Sequence, residues 1–168
     1  MERQESARWL CRFRLSKYRE DISPYRGREG VFYRLFQPHE VVNGEGNLLL
    51  NSGIDEMWDL IVGESANHFS NTGAQIGVGD STTAADASQT DLQASTNKAY
   101  KGMDSGYPTS TSQQVTFKAS FGDSEANFAW NEWVVRQSTS SKCLNRKVES
   151  LGTKTSGTWT LEVDITLS

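Results

Sequence analysis

Two glycines in the stretch AQIGVGDSTTAADASQTDLQ, residues 74–93, are of the type that lets a backbone close around a phosphate group. A P-loop also needs a Lys, then a Ser or Thr at the start of a helix, because the Lys reaches the phosphates and the hydroxyl reaches magnesium. Gly77 and Gly79 have no Lys within reach, and no helical pattern follows them. The stretch therefore does not predict a phosphate site.

Three aspartates in the same stretch raise the question of a calcium site. An EF-hand loop takes oxygen ligands from alternate positions, with a Gly at the sixth and a Glu at the twelfth. Asp80, Asp86 and Asp91 are five or six residues apart and do not follow that pattern. An EF-hand is excluded, and an irregular calcium site stays open.

No combination of side chains points to catalysis. The two histidines, His39 and His68, lie near no Cys and in no H-x-x-x-H arrangement, and no G-x-S-x-G motif marks a nucleophilic serine. A Ser–His–Asp triad assembles only in space, so the sequence neither excludes nor indicates one. Glu125 and Glu132 could be drawn as a glycosidase pair, but separate surface carboxylates in an acidic protein explain them better. We therefore predict a protein that is not an enzyme and takes no cofactor.

The two cysteines, Cys11 and Cys143, lie far apart and fit no metal-binding spacing. Free thiols formed in a reducing cytosol are the favoured interpretation, and a disulfide between them stays open.

Positive charge is concentrated at the N-terminus. Residues 1–28 hold eight Lys and Arg against four acidic residues, whereas the rest of the chain is strongly acidic. A basic segment ahead of an acidic body predicts an extended N-terminal arm, residues 1–29, that contacts a negatively charged surface, with residues 30–168 as the body. A solvated strand face is the alternative. The contact residues predicted in the arm are Arg8, Trp9, Arg12, Phe13 and Arg14.

The first half of the chain predicts strands and one helix. RWLCRFRL (8–15) alternates as a half-buried strand does, and VFYRLF (31–36) is an aromatic-rich second strand. Asn43-Gly44 between apolar flanks predicts a β-hairpin.

The single helix is predicted over residues 52–62. Ser52 and Asp55 resemble a capping box at its start, and Gly63 is placed to end it. The helical spacing of its apolar residues assigns Trp58 to the core.

The second half predicts further strands, over residues 74–79, 114–121, 126–136 and 158–167. Regular strands separated by turn signals are typical of an all-β antiparallel β-sandwich, here jelly-roll-like. The apolar runs, LLL and LIV among them, are too short to cross a bilayer.

Whole segments of the sequence carry a resemblance. The blocks IGVGDSTTAA…TDL and NEWVV…LNRKV…LGTKT…TWTL follow NGEGNLLLNSGIDEMWDLIVG in that order. Over residues 40–168 this pattern resembles a family of small β-sandwich structural proteins of tailed bacteriophages, found as head decoration or tail-associated proteins.

The resemblance implies a virion structural protein made in the host cytoplasm. Its expected role is that of a decoration or cement protein, and its expected partners are the major capsid protein and copies of itself, with a trimer favoured. It implies no direct contact with nucleic acid or membrane. In this interpretation the stretch after residue 79 lies against a neighbouring surface, with a mobile loop as the alternative; its predicted contact residues are Asp80, Ser81, Thr82 and Thr83.

Two other functions stay open. A tail or fibre component could bind a receptor or glycan through Trp130 or Trp133, although these tryptophans fit an inter-sheet core better. A free carbohydrate-binding module would normally be secreted, and the N-terminus MERQESARWLCRFR has no apolar segment of a signal peptide.

Overall fold

The computed structural model describes residues 6–168, and within that range ten β-strands form two antiparallel five-stranded sheets. The first sheet has the strand order β2-β1-β10-β7-β6, and the second has the order β3-β9-β8-β4-β5. The strands are β1 (Trp9–Tyr18), β2 (Glu40–Glu45), β3 (Leu48–Leu49), β4 (Ala74–Gly79), β5 (Lys98–Gly102), β6 (Thr109–Thr111), β7 (Gln114–Phe121), β8 (Ala129–Gln137), β9 (Cys143–Thr153) and β10 (Thr158–Leu167). Two helices, α1 (Glu29–Leu35) and α2 (Asn51–Val62), complete the fold together with a short 3-10 turn at Ser23–Tyr25.

The core lies between the two sheets, as the alternation of the strands predicts. On β10, Leu161, Val163 and Ile165 are buried, and the strand pairs with β1 on one side and β7 on the other. Phe13 of the first sheet meets Trp133 of the second edge-to-face, with ring centroids 5.6 Å apart. The all-β sandwich prediction is confirmed at this level.

Residues 9–18 of the basic N-terminal segment form a central strand of the body. β1 forms ladders with both β10 and β2, and its inward side chains Cys11, Phe13 and Leu15 are at most 3% exposed. The prediction of an extended arm is therefore corrected for residues 9–18, because their alternate apolar residues fill the sandwich core. Residues 1–5 of the predicted arm lie outside the described residues.

The basic side chains of β1 stand opposite acidic residues of the same chain. Arg12 lies in register with Asp164 of β10 and Glu45 of β2, and Arg14 lies opposite Glu162. Cross-strand neighbours of opposite charge of this kind favour the pairing of the strands, although neither Arg12 nor Arg14 forms an ion pair within residues 6–168.

Residues 31–36, predicted as a strand, lie mostly in helix α1. Phe32 and Phe36 are four residues apart and their rings pack at a tilt with centroids 5.0 Å apart, while Phe32 also packs edge-to-face on Tyr18 and Tyr25. An aromatic pair at that spacing lies on one side of a helix, and this packing outweighs the strand propensity of the individual residues.

The predicted hairpin at Asn43-Gly44 is wrong, because both residues lie inside β2, and β2 and β3 belong to different sheets. A Cβ on Gly44 would come within 2.4 Å of the Phe13 ring, so this glycine provides space for the core rather than a turn. The chain leaves the first sheet at Gly46, whose φ is +77°.

The predicted helix is confirmed as α2, and Gly63 ends it with a left-handed φ of 81°. The predicted capping box is absent, since Leu50 occupies the N-cap position. Ser52 instead donates a hydrogen bond of 2.9 Å to the carbonyl oxygen of Cys143, which ties the helix to β9.

Candidate functional site

A buried ion pair holds the ribbon, residues 80–94, against the second sheet. Arg146 on β9 and Glu132 on β8 are both fully buried, with their charged groups 2.8 Å apart. Arg146 also donates hydrogen bonds of 2.9 Å to the side chain of Gln89 and to the carbonyl oxygen of Thr83. The ribbon is thus fixed by contacts within the chain.

Glu132 fixes the far end of the ribbon. Its carboxylate accepts hydrogen bonds from the backbone amides of Gln93 at 2.9 Å and Ala94 at 2.7 Å. A Cβ on Gly79 would lie 2.5 Å from the same carboxylate, so this glycine admits Glu132 rather than a phosphate. The oxygens of Glu132 are occupied by structural partners, so this carboxylate is not free to act as a catalytic group.

Glu125 belongs to a separate cluster. Its carboxylate pairs with Arg26 at 2.9 Å and with Lys101. Burial opposes ionisation, but hydrogen bonds from Lys101 and from the amide of Gly122 keep the pKa of the Glu125 carboxyl below its ordinary value. An ionised carboxylate with these partners cannot act as the acid of a glycosidase.

The three aspartates of the ribbon have separate partners. Asp80 accepts a hydrogen bond from Asn97, Asp86 accepts from Ser88, and Asp91 accepts from Tyr100. Across the part of the chain that the structure describes, no three His, Cys, Asp or Glu side chains are grouped to hold a metal ion.

The tryptophans suggested as a sugar platform are core residues. Trp130 and Trp133 are both completely buried. Trp130 stacks edge-to-face on Phe121 and on Trp159, with centroids at 4.9 and 5.0 Å. The core interpretation of these residues is confirmed.

The nine predicted contact residues do not form one surface. Arg12 and Arg14 are exposed on the outer face of the first sheet, whereas Phe13 is buried at 3% exposure and faces the core. Asp80–Thr83 begin the ribbon on the other sheet, and Arg8 and Trp9 lie where β1 begins. Phe13 is therefore removed from the candidate contacts, and β1 cannot add a strand to a neighbour because both its edges are already paired.

Helix α2 exposes a large apolar surface. Trp58, Ile61 and Val62 are 61%, 72% and 67% exposed, so the assignment of Trp58 to the core is wrong. Successive helical residues are rotated by about 100°, which brings Ile54 and Met57 to the same side as these three. We call Ile54, Met57, Trp58, Ile61 and Val62 the α2 stripe.

The opposite side of α2 explains why the bulky residues point outward. A Cβ on Gly53 would lie 2.3 Å from the carbonyl oxygen of Leu144, so the helix backbone rests directly on β9. Glu56, only 1% exposed, pairs with Lys142 at 2.8 Å and accepts a hydrogen bond from Ser65. This inner face offers a close backbone contact and an ion pair but no space for a tryptophan.

An apolar cavity of about 400 Å³ continues from the α2 stripe. This end cavity opens where β1 begins and β10 ends, since Trp9 and Leu167 are paired there. Met57 belongs both to the cavity wall and to the α2 stripe. The other apolar wall residues include Trp9, Leu144, Ile165 and Leu167.

Acidic residues border the α2 stripe. Asp55 and Glu64 are exposed beside it. Asp59 also lies there, but it pairs with Lys142 at 2.9 Å. The stripe is therefore an apolar surface with a negative margin.

A second concave feature lies on the outer face of the first sheet. Two neighbouring rows of outward side chains cross its central strands: a charged row of Arg14, Glu162 and Lys118, and a hydroxyl row of Ser16, Thr160 and Ser120. Lys118 and Glu162 form an ion pair at 3.2 Å.

Helix α1 covers part of these rows. Tyr33 donates a hydrogen bond of 2.5 Å to the buried carboxyl of Asp104 and lies 2.6 Å from the hydroxyl of Ser120. Burial, followed by the charge of Asp104, raises the pKa of the Tyr33 hydroxyl. The helix leaves open a cavity of about 180 Å³, which we call the sheet cavity. Its walls are formed by Arg14, Ser16, Tyr18, Tyr33, Lys118, Thr160 and Glu162.

The chain matches no protein-family model, and comparison with curated proteins and with solved structures finds no match either. Among the helices in the described range, none is long and apolar enough to cross a membrane.

Neither surface was predicted from the sequence. A signal for the α2 stripe exists, because Leu60 and the five stripe residues together span about 200° of the helix circumference. A helix that buries just one of its sides has a narrower apolar face than this one. The sheet cavity has no comparable signal, since its residues come from four separate elements.

Proposed function

We propose that this protein is a non-enzymatic virion structural protein that decorates and stabilises the head shell of a tailed bacteriophage. The observation that supports the proposal is the α2 stripe, where three large apolar side chains lie exposed on one helix. Exposed apolar clusters of this kind mark protein-binding surfaces. The phage assignment rests on the sequence resemblance, and the jelly-roll-like strand arrangement is part of the same proposal.

The proposed occupant of the α2 stripe is a subunit of the major capsid protein. The acidic margin of Asp55 and Glu64 complements an apolar surface flanked by Lys or Arg. Two copies of this chain joined stripe to stripe would bring the same acidic residues together, which disfavours self-association through this surface. This protein thus contributes negative charge to the proposed contact, whereas a basic arm would contribute positive charge.

Contacts between copies of this chain would use other surfaces. β2 and β5 are edge strands of their sheets, and an edge strand can pair with a neighbouring chain through main-chain hydrogen bonds. A head-to-tail contact of this kind closes a ring, for which a trimer is the proposed size.

The mechanism is stabilisation of the assembled state. A protein that binds the assembled shell but not its separate subunits shifts the equilibrium towards the shell by its binding free energy. Trp58 is the expected anchor, because exposed tryptophans often carry much of the binding free energy of an interface.

The test is the binding of purified protein to expanded phage heads that lack it. The double variant Trp58→Ser/Ile61→Ser should bind at least about 30-fold more weakly, which corresponds to the roughly 2 kcal/mol of an interface hot spot. The matched control is Leu35→Ser, which removes an exposed aliphatic residue from the other helix. Equal binding by wild type and the double variant would contradict the proposed surface.

A further inference from the structure

We propose that the sheet cavity binds an acidic monosaccharide, a single sugar ring that carries a carboxylate. This inference goes beyond the proposed function and concerns a different face of the molecule. The argument rests on the size of the cavity, its charge and the types of its hydrogen-bonding groups.

The size of the cavity suits one small ring. Its volume of about 180 Å³ corresponds to about six water molecules at about 30 Å³ each. Drug-sized ligands occupy larger pockets, of about 300 Å³ or more. A single pyranose ring with its substituents is therefore within reach, whereas an oligosaccharide could place only one unit inside.

The charge of the cavity calls for an added anion. Lys118 is paired with Glu162 at 3.2 Å and lies over the Tyr33 ring at 4.2 Å, so its charge is already engaged. Arg14 forms no ion pair with any residue in the range 6–168. Its planar guanidinium offers parallel donors that match the two oxygens of a carboxylate.

The remaining lining suits the hydroxyl groups of a sugar. Ser16 and Thr160 are both less than 10% exposed and supply hydroxyls on the cavity floor. Glu162 supplies carboxylate oxygens, which accept hydrogen bonds from ligand hydroxyls. Tyr18 adds an aromatic wall for the apolar side of a ring. A simple inorganic anion would use the arginine but would offer no hydroxyl to the carboxylate of Glu162 and no apolar face to Tyr18.

The experiment is a titration of the full chain, free of any virion, with sodium glucuronate, followed by calorimetry and by backbone amide shifts in NMR spectra. Glucose, which lacks the carboxylate, and acetate, which lacks the ring, are the matched probes. We expect saturable glucuronate binding, at least tenfold tighter than that of either probe, with shifts centred on β1 and β10.

Variants of β1 identify the binding group. Arg14→Ala should weaken glucuronate binding at least tenfold, and Arg14→Lys should weaken it less, because lysine keeps the charge but loses the planar donors. The control is Arg12→Ala, since Arg12 is exposed on the same face of the same strand but does not line the cavity. Its affinity should stay within a factor of about two.

Four results would overturn the proposal: no saturable binding of glucuronate, unchanged binding by Arg14→Ala, glucose binding as tight as glucuronate, or acetate binding as tight as glucuronate. The last result would leave only a general anion site. Because the measurement uses the isolated protein, it is independent of whether the protein attaches to a phage head.

Discussion

The guanidinium of Arg146 and the carboxylate of Glu132 form an ion pair at 2.8 Å with no exposure of either side chain. Both groups also bind the ribbon, so one buried pair links β8, β9 and residues 80–94. A buried charge whose partner is removed is much more costly than the intact pair is stabilising.

Glu132→Gln should therefore destabilise the protein by about 3–5 kcal/mol, because Arg146 stays buried without a counter-charge. Urea denaturation measures the decrease in the free energy of unfolding. Lys147→Ala, which breaks the more exposed pair with Glu149 at 3.4 Å, is the control and should cost less than about 1 kcal/mol. Similar losses of unfolding free energy in the two variants would show that the buried pair contributes no more to stability than an exposed one.

Phe13→Ala should destabilise the protein by about 3–5 kcal/mol, because Phe13 is buried between the sheets against Trp133. The change in the urea midpoint is the measurement, and Arg12→Ala, on the exposed face of the same strand, is the control.

Deletion of residues 1–29 should likewise yield an unfolded chain. A folded deletion product would mean that β1 is dispensable and would restore the arm.

Asp104→Asn tests the buried cluster beneath α1. Burial raises the pKa of the Asp104 carboxyl above its ordinary value of 3.8 and the nearby Glu29 adds to the effect, while hydrogen bonds from Tyr33 and Ser120 and the charge of Lys118 oppose it. A raised pKa favours the protonated form in the folded state, so this contribution to stability is present below pH 3.8 and is lost as the pH rises through the folded pKa.

Wild type should consequently gain stability relative to Asp104→Asn as the pH falls from neutral into the acid range. The measurement is the difference in free energy of unfolding at several pH values. Asp55→Asn, at an exposed aspartate of α2, is the matched control and should show a smaller change. A difference between wild type and Asp104→Asn that does not vary with pH would contradict the direction of the shift.

The thiols of Cys11 and Cys143 should be unreactive in the folded protein. Both are free and buried, and burial raises the pKa of Cys11 to about 12 and also raises that of Cys143. Since the thiolate is the reactive form, a chromogenic disulfide reagent should react slowly with the native chain and with two thiols after denaturation. Zero reactive thiols in the denatured, unreduced protein would instead indicate a disulfide.

Strands with one buried face were the most predictable part of the fold. β7 and β10 match the predicted ranges 114–121 and 158–167, because each is flanked by strands on both sides and alternates between core and surface. Predictions from the local sequence pattern were wrong where a residue distant in the sequence determines the structure. Gly44 was assigned to a turn, but its role is set by the Phe13 ring, and α1 forms because its aromatics pack on Tyr18 and Tyr25.

The candidate sites depended even more on distant contacts. Glu132 and Arg146 meet only because β8 and β9 pair, and nothing in their sequence neighbourhoods indicates that both are buried. For Trp58 the sequence predicted a core position from helical spacing. The helix is present, but Gly53 and Glu56 occupy the face that packs on β9, so Trp58 lies on the exposed side. Sequence periodicity predicts that a face is apolar but does not show whether the protein itself covers that face.

The most direct test of the central proposal is quantitative mass spectrometry of purified phage particles, reported as copies of this chain per major capsid protein. The decoration proposal predicts a ratio near one or a fixed simple fraction of it. About one copy per hundred capsid subunits would indicate a tail or fibre component, and absence from the particle would contradict a virion role altogether.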